Sequence, residues 1–362
     1  LADYTLNALL APRALVRLGI IGVALLGVAS AFAGTAGLFS PGRLDQARLI
    51  DTFEQINGPH PGFRRNHAKG LCFTGWFDSN GSGAQVSYAR VFERRRIPVF
   101  GRFALAGGMP AIADGPGTVR SLAVNFALPD GEVWRSGMID IPVFPVRDAQ
   151  GFEDQMLATK PGSDGHPDPA RVAAFLAAHP ETARAFALIK QATFSSGFAN
   201  ATYNGLITFR AVDAAGKSTP VRWSLRARDA FEREPAETPK GRDYLFDALA
   251  ERLGKGPVEW SLLLVVGQPG DPTNDATLPW PADRQIVDTG TLSVTGLQSE
   301  AAGNCRDVNF DPAALPSGLE PSDDPLLSAR SATYSVSFTR RAGERKMPSE
   351  VQINAPPANK GR

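Results

Sequence analysis

Residues 63–77 read Phe63-Arg64-Arg65-Asn66-His67-Ala68-Lys69-Gly70-Leu71-Cys72-Phe73-Thr74-Gly75-Trp76-Phe77. One imidazole stands among three cations, Arg64, Arg65 and Lys69. Nearby positive charge opposes protonation, so His67 is expected to stay neutral, and a neutral imidazole can take up a proton and return it. Taken alone, the same run also describes a surface loop carrying a solvated histidine. Cys72, five residues on, is expected in a strand that enters the core.

Outward from this stretch, the pattern is β-rich. Strand-like runs are expected at 85–92, 98–104, 119–128 and 131–138, the last two joined by the turn signal Ala127-Leu128-Pro129-Asp130-Gly131. Others follow at 205–212 and 220–226, across the hairpin turn Asp213-Ala214-Ala215-Gly216, and at 258–266 and 285–294. Helices are expected at 45–57, with Leu49, Ile50 and Phe53 on one face, at 169–190 broken by Pro180, at 243–252, and after the acidic turn near 321–340. Regularly spaced strands with helices grouped late predict an α+β antiparallel barrel with added helices. No G-x-G-x-x-G follows a strand. The five tryptophans are assigned to the core, and His60, His166 and His179 to loops or helix ends.

The 362 residues carry 38 Lys and Arg against 37 Asp and Glu. This balance argues against nucleic acid as a partner, because phosphate binding needs a basic surplus. The run Glu93-Arg94-Arg95-Arg96 reads as a solvated face or a contact with a second copy of the chain, making a homo-oligomer one expectation. Near the N-terminus, Arg13 and Arg17 precede the uncharged stretch Leu18–Phe39, long enough to cross a bilayer core of about 30 Å as a helix. The flanking positive charge predicts residues 1–17 in the cytoplasm and the rest exported, by a single-pass anchor in a bacterial inner membrane over 18–39 with the remainder of the chain in the periplasm. Ala29-Ser30-Ala31 and Ala31-Phe32-Ala33 keep a cleaved signal and secretion to the periplasm open. The polar tail 342–362, with two adjacent prolines, is expected to be disordered.

A second informative block spans 309–334: Asn309-Phe310-Asp311-Pro312, then Leu315-Pro316-Ser317-Gly318-Leu319-Glu320-Pro321-Ser322, then Arg330 and Tyr334. Residues four apart share a helix face, so Arg330 would stand beside the phenol. A free tyrosine titrates near 10, so a phenolate at pH 7 costs about 4 kcal/mol, which an iron and a guanidinium together can offset. The spacing alone equally fits a packed tyrosine with an arginine alongside.

Together the blocks resemble the haem catalase family, and most of all the small catalase-related peroxidases of bacteria. The marks, in order, are Arg64-x-x-His67-Ala68-Lys69-Gly70 with Gly75-x-Phe77; Arg102-Phe103; Pro142-Val143-Phe144-Pro145-Val146-Arg147-Asp148 with Phe152; and the block ending Arg330-x-x-x-Tyr334. The resemblance implies an eight-stranded antiparallel β-barrel with flanking helices, forming a haem domain over 45–341. It implies that His67 is the catalytic histidine above the haem, Tyr334 the axial ligand of the iron and Arg330 its partner. Arg64 and Arg102 would hold the haem propionates, and Phe152 would pack over the haem on the peroxide side. Haem iron would carry the redox step.

Two departures stand out. Where the family places an Asn on the distal side, this chain has Ile139, with Asp140 one residue away. Where the family has a serine after the Arg-Phe pair that bonds the distal His, it has Ala104. Losing a preorganised donor costs about 10²–10³ in rate. The expectation is therefore a peroxidase that reduces hydrogen peroxide, or organic hydroperoxides, with an unidentified organic electron donor, and dismutates peroxide weakly. Rearrangement of fatty-acid hydroperoxides and a non-enzymatic exported ligand-binding barrel are the alternatives. An exported location permits a Cys72–Cys305 disulfide, but the sequence cannot place the two within bonding distance, and it reads Cys72 as a core residue and Cys305 as free.

Overall fold

The computed structural model describes residues 12–35, 44–237, 239, 241–301 and 303–353. The rest of the predicted N-terminal segment and span, and residues 354–362 of the tail, lie outside them. Helix α1 (Pro12–Thr35) contains an apolar stretch, Val16–Gly34, long enough to cross a membrane. The remaining described chain, from Gln46, forms one compact unit.

That unit is built on eight antiparallel strands: β1 (Gly70–Ser79), β2 (Arg95–Leu105), β3 (Arg120–Ala127), β4 (Val133–Ile139), β5 (Tyr203–Val212), β6 (Ser218–Ala227), β7 (Val258–Val266) and β8 (Ile286–Gln298). They are ordered β4-β3-β2-β1-β8-β7-β6-β5, and a single pair, Ile139↔Asn204, joins β4 to β5 and closes the barrel. A three-residue β9 (Leu319–Pro321) pairs along β5. Helices α2 (Gln46–Asn57), α3 (Ala149–Thr159), α4 (Pro169–Ala178), α5 (Pro180–Gln191), α6 (Tyr244–Gly254) and α7 (Pro325–Ala342) flank it. Pro180 splits α4 from α5 by standing at the first turn of α5, where its missing N–H is harmless.

Period-2 alternation assigns the two faces of the strands. Leu71, Phe73, Phe77, Phe103, Leu122, Val124, Phe126, Trp134, Trp223 and Trp260 are all buried in one core cluster. Trp134 stacks on Phe126 at 4.7 Å and meets Trp223 edge-on at 4.9 Å. The indole N–H of Trp223 donates to Ser136 Oγ (2.8 Å), and that of Trp260 to Ala201 O (3.0 Å). Trp76 and Trp280 depart from expectation: Trp76 takes an outward position on β1, 42% exposed, with Arg96 over its ring, and Trp280 is half-buried outside that cluster with Arg222 over its ring.

Three other expectations change. Residues 85–92 form no strand; they pass through 3-10 turns at Ser82–Gln85 and Arg90–Phe92. Val91 and Phe92 are fully buried all the same, so the apolar residues reflect burial rather than strand backbone. Helix α3 falls where no element was expected; Asp148 caps it by accepting from Gly151 N–H. The tail is ordered through residue 353, because it finds partners: Lys346 pairs with Asp307 at 2.7 Å, Ile353 N–H donates to Ser299 Oγ, and Val351 is 1% exposed.

Cys72 and Cys305 are joined in a disulfide that ties β1 to a 3-10 turn at Cys305–Asp307. The Glu93–Arg96 run is at the surface, with Arg95 against Glu93 and Arg96 against both Asp78 oxygens (2.6 and 2.9 Å).

Candidate active site

The strand face turned away from the aromatic core carries a large cavity. Its empty space, open mouth included, is about 1360 Å³. The floor comes from register partners on adjacent strands: Arg102↔Ala123↔Gly137 and Ser121↔Ile139. Small side chains at 123 and 137 keep part of this floor low. Leu49, Ile50 and Phe53 of α2, with Phe144 and Phe152, supply apolar lining, and α7 supplies Arg330, Tyr334, Ser337 and Arg341. Those last four are spaced i, i+4, i+7 and i+11, a single stripe of the helix.

All six residues singled out from sequence, His67, Arg64, Arg102, Phe152, Arg330 and Tyr334, line this one cavity. Phe152 packs between Phe53 and Phe144, with ring centroids 5.8 Å from each. Arg330 Nη2 donates to the Tyr334 hydroxyl oxygen at 3.0 Å, placing positive charge beside it.

His67 occupies a left-handed backbone conformation, φ 53°, uncommon outside glycine. The surroundings hold it there. Its N–H donates to Asn66 Oδ1 (2.9 Å), and Arg102 Nη1 donates to its carbonyl (2.7 Å). Arg102 Nη2 also donates to Ala68 O, and its Nε and Nη2 reach the two oxygens of Glu300. Four of its five N–H groups are thus engaged by the turn and by Glu300. Arg102 is therefore first a clamp on the histidine turn, a role the sequence reading missed. A Cβ on Gly70 would collide with this guanidinium, which explains the glycine.

The His67 imidazole is pushed down to about 3, first by burial and then by the charges of Arg102 and Arg330, with a lesser push from Arg64. Neutrality was expected from Arg64, Arg65 and Lys69, and of these Arg64 contributes. Lys69 turns away to Asp114 and Asp243, each at 2.6 Å, and Arg65 pairs with Glu54 and Glu344. At Nδ1 the ring meets Ser121 Oγ, 3.1 Å away. Ile139 lines the cavity, whereas Asp140 accepts from Arg120 N–H (2.8 Å) and Nη1 (3.3 Å) and does not line it, so Asp140 does not take the place of the family's Asn. Burial lifts the Asp140 carboxyl to about 6. Asn204 also lines the cavity, its amide donating to Ile141 O.

Arg64, Arg102 and Arg341 gather around one buried carboxylate, Glu300. Burial opposes charge on Glu300, but Arg102 and Arg64 outweigh it and hold the carboxyl below its ordinary value. Burial, then Arg102 and Arg341, push Arg64 down; burial, then Arg102, push Arg341 down to about 10. Arg341 Nε is buried without a partner among the described residues. The guanidiniums of Arg64, Arg102 and Arg341 outnumber the nearby carboxylates of Glu300 and Asp307, which leaves room for an added anion. A large apolar cleft with a cationic corner, a phenol oxygen under a guanidinium and a neutral imidazole suits a flat apolar group bearing carboxylates and a metal, as haem is. Arg341, missed in the sequence reading, was legible as the next member of the 330/334/337 stripe.

The chain matches the family model described as Catalase over residues 29–361. It is 34% identical over 317 residues to a catalase-related peroxidase of Synechococcus elongatus, covering 87% of this chain and 93% of that protein. It is 34% identical over 305 residues to a catalase-related peroxidase of Mycolicibacterium paratuberculosis, covering 83% and 96%. With the catalase of Rattus norvegicus the identity is 27% over 343 residues, covering 89% of this chain and 64% of that one. Barrel, cavity and sequence agree, and the chain belongs to the catalase family.

Proposed function

We propose that this protein is a haem peroxidase that reduces hydrogen peroxide with an organic electron donor and dismutates peroxide only weakly. One observation carries the reading: a half-buried imidazole held neutral by its surroundings and an arginine-bound phenol, far apart in sequence, line the same cavity. The two catalase-related peroxidases that match nearly end to end support it.

Tyr334 would hold the haem iron through its oxygen, with Arg330 stabilising negative charge on that oxygen. Arg64 and Arg341, with the spare capacity of Arg102, would hold the carboxylates. When bound, haem supplies the electron transfers that peroxide reduction needs. His67 would take the proton from one peroxide oxygen and return it to the other; burial keeps it neutral and ready to accept. Phe152, Phe53 and Ile139 would exclude water. Ile139 cannot donate a hydrogen bond, which supports weak dismutation.

Arg13 and Arg17 before the apolar helix, together with the Cys72–Cys305 disulfide, support a periplasmic location for the catalytic domain, reached through a membrane anchor or an export signal. The test is the purified chain loaded with haem. A Soret band, donor oxidation driven by peroxide, and little oxygen release are expected; rapid oxygen evolution at rates like those of full-length catalases would overturn the peroxidase assignment.

A further inference from the structure

Ala104 on β2 and Ser121 on β3 are register partners beneath His67. Partner side chains on adjacent antiparallel strands share a face, so a hydroxyl carried at either position hangs over the same ground. Ser121 Oγ lies 3.1 Å from His67 Nδ1 and 3.3 Å from the Ala104 carbonyl oxygen. The hydroxyl has one proton. A carbonyl oxygen can only accept, so a hydroxyl donating to Ala104 O meets Nδ1 with a lone pair and requires the ring proton there.

We propose that Ser121 is the positioning residue for His67: its hydroxyl donates to Ala104 O, accepts from Nδ1–H, and so leaves the lone pair on Nε2 to receive the substrate proton. This rests on the peroxidase reading above. The hydroxyl absent from position 104 is thus supplied from the neighbouring strand, and of the two distal departures read from sequence only Ile139 stands. With the backbone of His67 clamped by Arg102 and Asn66 and its Nδ1 held by Ser121, both the orientation of the ring and its tautomer are fixed. The low proton affinity of the half-buried ring keeps it in the singly protonated form that this arrangement needs. The second hydrogen bond matters because the ring nitrogen that faces a reacting group is set by what the other nitrogen binds.

The test uses the full chain loaded with ferric haem, as wild type, Ser121→Ala, Ser121→Thr, Ala104→Ser/Ser121→Ala and His67→Ala. Haem content is read from the Soret band. Cyanide is the probe: it arrives as a weak acid, so its association reports proton uptake by the distal base without turnover. Cyanide association, its pH profile and the Soret change with peroxide are then compared. Ser121→Ala is expected to keep its haem and to slow both reactions about 10- to 100-fold. Ser121→Thr, and the double variant that moves the hydroxyl back to position 104, are expected to recover most of that loss, which a purely structural role would not do. Wild-type rates in Ser121→Ala, alongside loss in His67→Ala, overturn the proposal and leave the haem reading standing. If Ser121→Ala fails to load, the hydroxyl-bearing variants decide: loaded protein with rates like His67→Ala overturns it. A wild-type chain that binds no haem sinks the peroxidase reading itself, and this proposal with it.

Discussion

His67 combines two costs that a functional residue can carry: a left-handed backbone and a ring held without charge. The second has a measurable consequence. An unfolded histidine titrates near its ordinary 6.5, and the folded one at about 3. Between these values the unfolded chain binds the additional proton. The contribution to stability is therefore complete above about pH 6.5 and is lost as pH falls toward 3, amounting to about 2 kcal/mol by pH 5. His67→Gln removes that titration, so denaturant midpoints at pH 7 and pH 5 should lie closer together in the variant than in wild type; equal separations would refute the assignment. Arg341→Leu should lower haem retention markedly, read as Soret loss on dilution or transfer to apomyoglobin, while unfolding stability holds or rises, because a crowded cation is removed. Arg341 shows where reading along a chain stops short. Its spacing from Tyr334 was visible, but its shortage of partners appears only once Arg64, Arg102 and Glu300 are seen around it.

Elements decide what a motif means. The glycine at the start of β1 looked like family punctuation, yet its function here is to leave space for the Arg102 guanidinium. Gly70→Ala should displace that group, free the His67 and Ala68 carbonyls, and cost about 2–4 kcal/mol, with haem loading reduced; thermal unfolding and Soret titration would check this. Strands β2–β8 and helices α2 and α4–α7 were legible because alternation, helical spacing and the proline at 180 each have a local cause. Residues 85–92 were not, because burial of Val91 and Phe92 imitates a strand although the backbone turns. The Ser121 contact was hidden for another reason: it depends on the β2–β3 register, which no single strand reveals.

At the scale of the whole molecule, the Cys72–Cys305 bridge joins β1 to the turn whose carbonyl oxygen at 305 accepts from Arg64 (2.9 Å). It closes a loop of 233 residues, which the chain-entropy view values at about 5 kcal/mol as an upper figure. Reduction, or Cys72→Ser/Cys305→Ser, should lower the melting temperature and loosen haem together; an unchanged melting temperature would show the bridge to be dispensable. The barrel itself is fastened around its ring by one residue pair, Ile139↔Asn204, and both members of that pair border the cavity. Whatever fills the cavity therefore leans on both sides of the seam at once. The occupant becomes a second rivet, and the empty protein should lose protons to deuterium first along β4 and the start of β5, then grow quiet there when loaded.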